Sequence, residues 1–454
     1  MYFYCLKSFL YINASHSENA ITHSAQRVVT HRVGLQNREE KILKLSLSIF
    51  KNRNFLFYWL AGWITSIGDS IFLIALTWML VEQTKSPLVV GTYLSVVGIT
   101  KLIFILFGGI VVDRFDVRRL LIYSDWIRAV LMLVFVVMGL NGMPPLWFFY
   151  VIGLLFGAID AVAEPAGIAC RTRIIEKEYY TQSMSLLLIT GNVSTVVGPM
   201  IAAGIVYLGG SMTAVFANGV SYVLSAILLL SVNFKPVGEE VETDGKRPLE
   251  VLKGLREGFS FFFRTPVILA MATSAFFANA AVGITVLATP FLVKDLHLGV
   301  AGYGMLNTSI GIGGIVGAAL FSLFVISRPT PGMALSTSIC QGSFIVLVGI
   351  TDQLWIIVFA FLLIGFNEAA VNVIAPSVNH TLIPQKIFGR VISVLILIMG
   401  ASEPIFQAFG GWLMEAVTAQ KMFMIGGFIE VSAAAIIFFM PAVRTYKEKM
   451  AKAS

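Results

Sequence analysis

The sequence predicts an all-α integral membrane protein with twelve transmembrane helices in two six-helix pseudo-repeats. Three observations carry this expectation. Of 454 residues, 57% are hydrophobic and 13% charged, about half the charge content of a soluble domain. About twelve apolar runs, each near the roughly 20 residues that cross a bilayer as a helix, are separated by short loops. The basic residues also gather on one side of the predicted topology. Barrel strands would need only about ten residues of alternating polarity, which these runs do not show.

In chain order, residues 1–53 are polar and basic after a short apolar start. They read as a cytoplasmic tail without ordered structure. A signal peptide is not expected, because Lys7 interrupts the apolar start and no small-residue cleavage pattern follows. The first bundle, 54–233, holds spans at 55–81, 88–112, 120–140, 146–170, 184–208 and 213–232. A polar linker at 234–265 divides the chain into six spans and six. In it Leu249, Leu252, Leu255 and Phe259 fall on one face of a helix, which fits an amphipathic segment on the inner membrane surface or a plain linker. The second bundle, 266–443, holds spans at 267–293, 299–325, 332–350, 354–377, 388–414 and 422–443, and residues 444–454 form a second tail. Displacing the first half by about 211 residues superposes Gly91 on Gly302 and Pro165 on Pro376, and brings Asp113-Arg114 near Ser327-Arg328.

Placing both termini in the cytoplasm puts about 27 of the 32 basic residues on that side. The net charge of +7 is therefore a topology signal facing an anionic inner leaflet of the cell membrane, and no nucleic-acid partner is expected. The apolar surface excludes a soluble enzyme. Cys5, Cys170 and Cys340 show neither CxxC spacing nor paired placement, and His297 and His380 lie on opposite sides of the membrane, so no disulfide framework or metal site is expected. The lack of a GxxxxGK[ST] loop argues against a bound nucleotide and ATP drive. No cofactor is called for, and a proton gradient is the expected driving force.

After the second span comes GGIVVDRFDVRRLL, residues 108–121, an acidic and basic cluster preceded by glycines that permit close backbone approach. This loop resembles the helix 2 to 3 signature of the major facilitator superfamily, matching at Gly109, Asp113, Arg114, Arg118 and, one place late, Arg119. Asp116 replaces the usual glycine, as in the macrolide and siderophore exporter subgroup. Further similarities to that subgroup are Gly68-Asp69, the run from Ser124 to Ala129 that includes Asp125 and Arg128, and the Phe388-Gly389-Arg390-Val391 segment. The resemblance implies that Asp113 faces the N-terminus of the eleventh span while the cytoplasmic gate is shut, where a helix dipole favours an anion by about 0.3–1 kcal/mol. Arg114 and Arg118 would pair with Asp125, or merely enforce topology. In the fifth span Gly198-Pro199 looks like the antiporter signature of the same superfamily, although Ser194, Ala202 and Ala203 stand where glycines are expected.

Within the spans lie Asp69, Lys101, Asp125, Arg128, Asp160, Glu164, Glu368, Glu403 and Glu430. Such charges cost about 2.5–3.5 kcal/mol each on insertion scales, so they should face the interior. Asp69 and Lys101 lie at similar depth in adjacent spans and are expected to pair; Asp125 and Arg128, three apart, share one helix face. Asp160, Glu164, Glu368, Glu403 and Glu430 are then left without a cation. Burial disfavours the charged form of a carboxyl group, so these acids can take up and release protons as their helices expose them to one side or the other. Glu164 has a second reading, pairing with Arg171 or Arg173, and each glutamate has the alternative of an interhelix hydrogen bond. Asn367, Asn372 and Gln407 are neighbours that could serve.

With 35 phenylalanines, an acidic and aromatic cavity suits a bulky, amphipathic, cationic small molecule. The expected function is secondary active transport: proton-coupled export of an amphipathic, drug-like compound, macrolide-type or siderophore-type by the resemblance. A lysophospholipid-type lipid transporter, a nutrient uptake porter and a transport-inactive receptor stay open.

Overall fold

The computed structural model describes residues 49–140, 142–176, 179–233, 257–323, 329–441 and 443. Residues 1–48 and 444–454, linker residues 234–256 with Leu249, Leu252 and Leu255, and Ser327-Arg328 lie outside the described residues. Among the described residues the regular structure is helical throughout.

Residues 49–56 form a short unit of their own. A 3-10 turn, Ile49–Lys51, leads to Asn52, whose side-chain oxygen accepts from the Asn54 and Phe55 amides and caps the first helix. From there the chain runs through α1 (Arg53–Thr84), α2 (Pro87–Arg114), α3 (Val117–Gly139), α4 (Leu146–Ile174), α5 (Tyr180–Leu230), α6 (Pro266–Asp295), α7 (Gly299–Leu323), α8 (Pro331–Gly349), α9 (Leu354–Leu382), α10 (Phe388–Leu413) and α11 (Ala419–Phe438). Their boundaries follow from local chemistry. Ser86, Asp116, Thr330 and Thr418 each cap a helix through the side-chain oxygen, and Pro87, Pro266 and Pro331 occupy first-turn positions where no N–H is required.

Eleven helices are long and apolar enough to cross a membrane, where the sequence predicts twelve spans. The difference is α5. Its 51 residues would make a straight rod of about 77 Å, over twice the roughly 30 Å hydrocarbon core. Gly210, at φ 77° and ψ 171°, breaks the helix into two limbs in a conformation that favours glycine. The first limb runs parallel to α1, with Trp59 Nε1 bonded to Thr190 Oγ1 at 2.7 Å and Ser70 against Gly198. The second runs antiparallel to α3, with Met132 against Gly219 and Asp125 against Ser225. Since α1 and α3 run the same way, the chain reverses at Gly210, and α5 supplies the fifth and sixth spans.

In the first half α2 packs on α4 and α3 on the second limb of α5; in the second half α7 packs on α9, α8 on α11, and α6 on α10 and α11. The halves meet along two seams, α2 with α10 and α5 with α7. Both seams lie toward the end of the bundle where α2 begins. Gly91 faces Gln407 and Gly411, Gly98 faces Pro404, and a Cβ on Gly411 would lie 2.7 Å from the Pro87 carbonyl. In the other seam, a Cβ on Gly304 would lie 2.8 Å from the Pro199 carbonyl and one on Gly311 2.8 Å from the Thr195 carbonyl. These contacts hold the Pro87 end shut. Toward the Arg114 end α2 presents exposed Ile103 and Phe107, and α10 exposed Ile396.

Residues 257–264 are helical. Phe262 is buried in a cluster with Ile268, Ile383, Val391 and Val394. This part of the linker folds against the beginnings of α6 and α10 through Phe262 and Phe259, while Phe263 is exposed.

Candidate functional site

Arg128 on α3, buried with Asp125, Tyr222 and Ser225, is the hub of a polar cluster in the first half. Its Nη1 lies 3.5 Å from Asp125 one turn away, and its Nη2 pairs with Asp160 of α4. The guanidinium carbon stands 5.5 Å from the centroid of the Tyr222 ring, a cation–π contact. Tyr222 donates its hydroxyl to Asp69, and Ser225 Oγ donates to Asp125 Oδ2 at 2.6 Å. Gly68 makes the Asp69 contact attainable, because a Cβ there would collide with Ser221 and Asn218 and push α1 away. Three carboxylates thus surround one guanidinium, whose Nε is buried with no partner among the described residues.

A second cluster is more open and crosses between the halves. A Cβ on Gly157 would lie 2.6 Å from the Val97 carbonyl, so α4 can lie close to α2, and two turns on Glu164 meets Lys101. Lys101 Nζ is 2.8 Å from Glu164 Oε2, with side chains 41% and 54% exposed. Lys101 also attracts Glu403 of α10, which accepts a 3.1 Å hydrogen bond from Gln407 Nε2. Glu368 of α9 is a further acid in the second half, within electrostatic range of Glu403. Asp69 and Glu368 are exposed although they sit within spans. A charge bared to hydrocarbon is costly, so exposed acids within spans are expected to face a polar cleft and not lipid. Asp160 and Glu164 lie four apart on one face of α4, so the two clusters adjoin along that helix.

Several sequence expectations need correction. Asp69 and Lys101 do not pair: the first takes the Tyr222 hydroxyl and the second Glu164. Asp160 and Glu164 are not left without cations, since Arg128 and Lys101 serve them, and Arg171 bonds the Tyr58 hydroxyl instead of Glu164. Asp125 pairs with Arg128 and not with Arg118, which donates to the Leu229 and Leu230 carbonyls at the end of α5. Among the described residues Arg114 and Asp125 form no ion pair. Neither Asp113 nor Glu368 has a hydrogen bond or ion pair to another described residue. The start of α10, where the family resemblance places Asp113, is occupied by the linker: Arg390 pairs with Glu257, and a Cβ on Gly258 would lie 2.7 Å from the Arg390 carbonyl. Gly108 packs on the Ala161 carbonyl, whereas Gly109 faces open space. Asp116, in place of the usual glycine, caps α3 through the Arg119 amide at 2.9 Å. Gly198 and Pro199 sit where α1, α5 and α7 cross.

Glu430 stands apart. It is 1% exposed, and both carboxyl oxygens are buried with no hydrogen-bond partner among the described residues. It is flanked by α6 and α8, and neither carries a charged side chain from 266 to 293 or from 331 to 349.

The sequence reading missed Tyr222 and Ser225. A signal was present: Asn218, Ser221, Tyr222 and Ser225 recur at i, i+3, i+4 and i+7 along a span otherwise nearly free of polar groups, which marks one polar face.

A sequence model described as the Major Facilitator Superfamily matches residues 58–402. An uncharacterised MFS-type transporter of Bacillus subtilis (strain 168), YvqJ, is 21% identical over 411 residues, covering 89% of this chain and 96% of its own. The enterobactin exporter EntS of Citrobacter koseri is 23% identical over 398 residues, covering 86% and 92%. Among solved structures, the nucleoside transporter NupG matches with a TM-score of 0.67 at 13% identity, over 85% of this chain and 98% of that one. A bacterial homologue of the human lysosomal transporter Spinster, inward-facing and occupied, gives 0.66 at 13% identity, over 87% and 97%.

Proposed function

The chain belongs to the major facilitator superfamily, and on that premise we propose that it exports an amphipathic small molecule across the cell membrane in exchange for protons. The observation that carries the proposal is the charge imbalance of the two adjoining clusters. Six carboxylates, Asp69, Asp125, Asp160, Glu164, Glu368 and Glu403, share two cations, Lys101 and Arg128. Fully ionised, these groups would carry four uncompensated negative charges inside a membrane. Protons, or a cationic group on the substrate, relieve that imbalance, and moving the cleft from one side to the other changes which bulk phase supplies them.

Charge placement supports one orientation. With the basic end in the cytoplasm, both termini are cytoplasmic and the Pro87 end is external. The closed seams then make this an inward-open state, in which the second cluster faces the cytoplasm. Alternating access would close the Arg114 end, where the helix 2 to 3 loop with Asp113, Arg114 and Arg118 meets α10. Relatives named as enterobactin exporters support outward transport and a siderophore-like or macrolide-like substrate. Aromatic side chains such as the Phe276 and Phe406 pair, 6.0 Å between centroids and adjoining Glu403 on α10, supply apolar contact.

The test is everted vesicles carrying the full chain, with an imposed proton gradient and a panel of cationic drugs, macrolides, siderophores and lysolipids. Uptake of a macrolide or siderophore with accompanying proton efflux is the expected result. If lysolipid alone moves, or no compound moves with protons, proton-coupled drug export is wrong.

A further inference from the structure

We infer that Glu415 is the latch of the external gate, a counterpart at the Pro87 end to Asp113 at the Arg114 end of the same helix pair. Helices α2 and α10 run antiparallel, Gly91 facing Gly411 and Gly98 facing Pro404. Each carries a carboxylate at its C-terminal end: Asp113 is the penultimate residue of α2, and Glu415 lies just past Leu413, the last of α10. Each carboxylate is therefore level with the N-terminus of the other helix. Glu415 is docked there. Its Oε1 accepts the Leu88 amide at 3.2 Å and the Ser86 hydroxyl, so it meets the unpaired N–H groups and positive dipole end of α2. Asp113 is undocked, and Glu257 and Arg390 occupy the start of α10.

A second contact at the same end uses the opposite pole. Lys294, at the close of α6, donates to the Val81 carbonyl in the last turn of α1 at 3.5 Å. A cation at a helix C-terminus is favourable for the same reason that an anion at an N-terminus is. Both contacts join the first half to the second, α2 to α10 and α1 to α6. Rigid helices cannot satisfy both ends together: a rocking motion that brings Asp113 onto α10 draws Glu415 off α2. The glycine and proline seams between the two docking points supply close contact without interlocking side chains, which leaves the choice of closed end to the terminal charges.

The experiment uses the full chain with Cys5, Cys170 and Cys340 replaced by Ser and a reporter, Thr308→Cys, in the α5 and α7 seam, where the native hydroxyl bonds the Val196 carbonyl at 3.2 Å. A membrane-impermeant maleimide is added outside right-side-out vesicles without substrate or proton gradient. Glu415→Gln is expected to raise the labelling rate about two- to five-fold, the population shift that loss of one charge at a helix terminus allows. Lys294→Gln, which leaves Glu415 in place, is expected to do the same and serves if Glu415→Gln is not recovered in membranes. Unchanged or slower labelling in either variant overturns the inference. It rests on the alternating-access reading above, yet the two fail separately: a parent chain whose reporter never responds to an imposed proton gradient counts against alternating access whatever Glu415→Gln does.

Discussion

In the first half of the molecule every carboxylate within the spans has a partner: Asp125 and Asp160 share Arg128, Glu164 holds Lys101, and Asp69 takes the Tyr222 hydroxyl. In the second half Glu368 and Glu430 have none among the described residues, and Glu403 has the amide of Gln407 and a distant share of Lys101. The same fold thus handles its acids in two ways. Around the buried Arg128 and Asp125 the acids are fixed, because removing the guanidinium strands its carboxylate partners in a low-dielectric interior. Unpaired acids are free to change protonation without breaking a contact. On this comparison the expectation to test is that the first half holds the shape of the bundle and that the acids of the second half serve the proposed proton exchange.

The largest expected effect tests the fixed side. Arg128→Met strands Asp69, Asp125 and Asp160 together, and loss of a buried pair costs about 3–5 kcal/mol. Thermal unfolding in detergent should show a large fall in melting temperature or no folded protein; a near-native melting point would erase the distinction between the halves. Next, Glu368→Gln and Glu403→Gln should each lower proton-driven flux about tenfold or more, the scale of losing a protonation step, while melting temperature holds steady. A variant that keeps its flux but unfolds early would move that glutamate to the structural class. The smallest effect separates Glu430 from both groups. With no partner to strand, Glu430→Leu should stabilise the protein by about 1–3 kcal/mol, the penalty of an unsatisfied buried polar group, whereas Asp125→Leu should destabilise it. Equal losses in the two would mean that Glu430 has a partner after all.

What the sequence made legible was depth, and what it concealed was azimuth. Apolar run lengths located the spans. The residues from Gly108 to Leu121 carried the family. Asp69 and Lys101 were expected to pair because they lie at one level on neighbouring helices, but helices that pack at one depth still turn side chains to different neighbours. Lys101 faces α4 and α10, and Asp69 faces the second limb of α5. The partner of Asp69 is an aromatic hydroxyl 153 residues away, and only the polar face of that limb hinted at it. The turn between the fifth and sixth spans was legible as well: the apolar runs 184–208 and 213–232 part at the residues around Gly210, where the continuous helix α5 breaks into its two limbs. The Asp125 and Arg128 pair was legible because three residues along one helix fix direction as well as depth.

That reversal at Gly210 bears on how the protein enters the membrane. From Tyr179 to Asn233 the chain carries no charged side chain, and the two limbs of α5 are joined through a single non-helical residue. The first limb has no polar segment at its far end to anchor it outside, and the second has none to start from. The two must partition into the bilayer together, as a preformed hairpin that carries no charge across. A lysine placed at Gly209 or Ser211 would give the turn a charge to translocate, so the fifth and sixth spans should be the step of biogenesis most sensitive to charge at a position remote from both polar clusters.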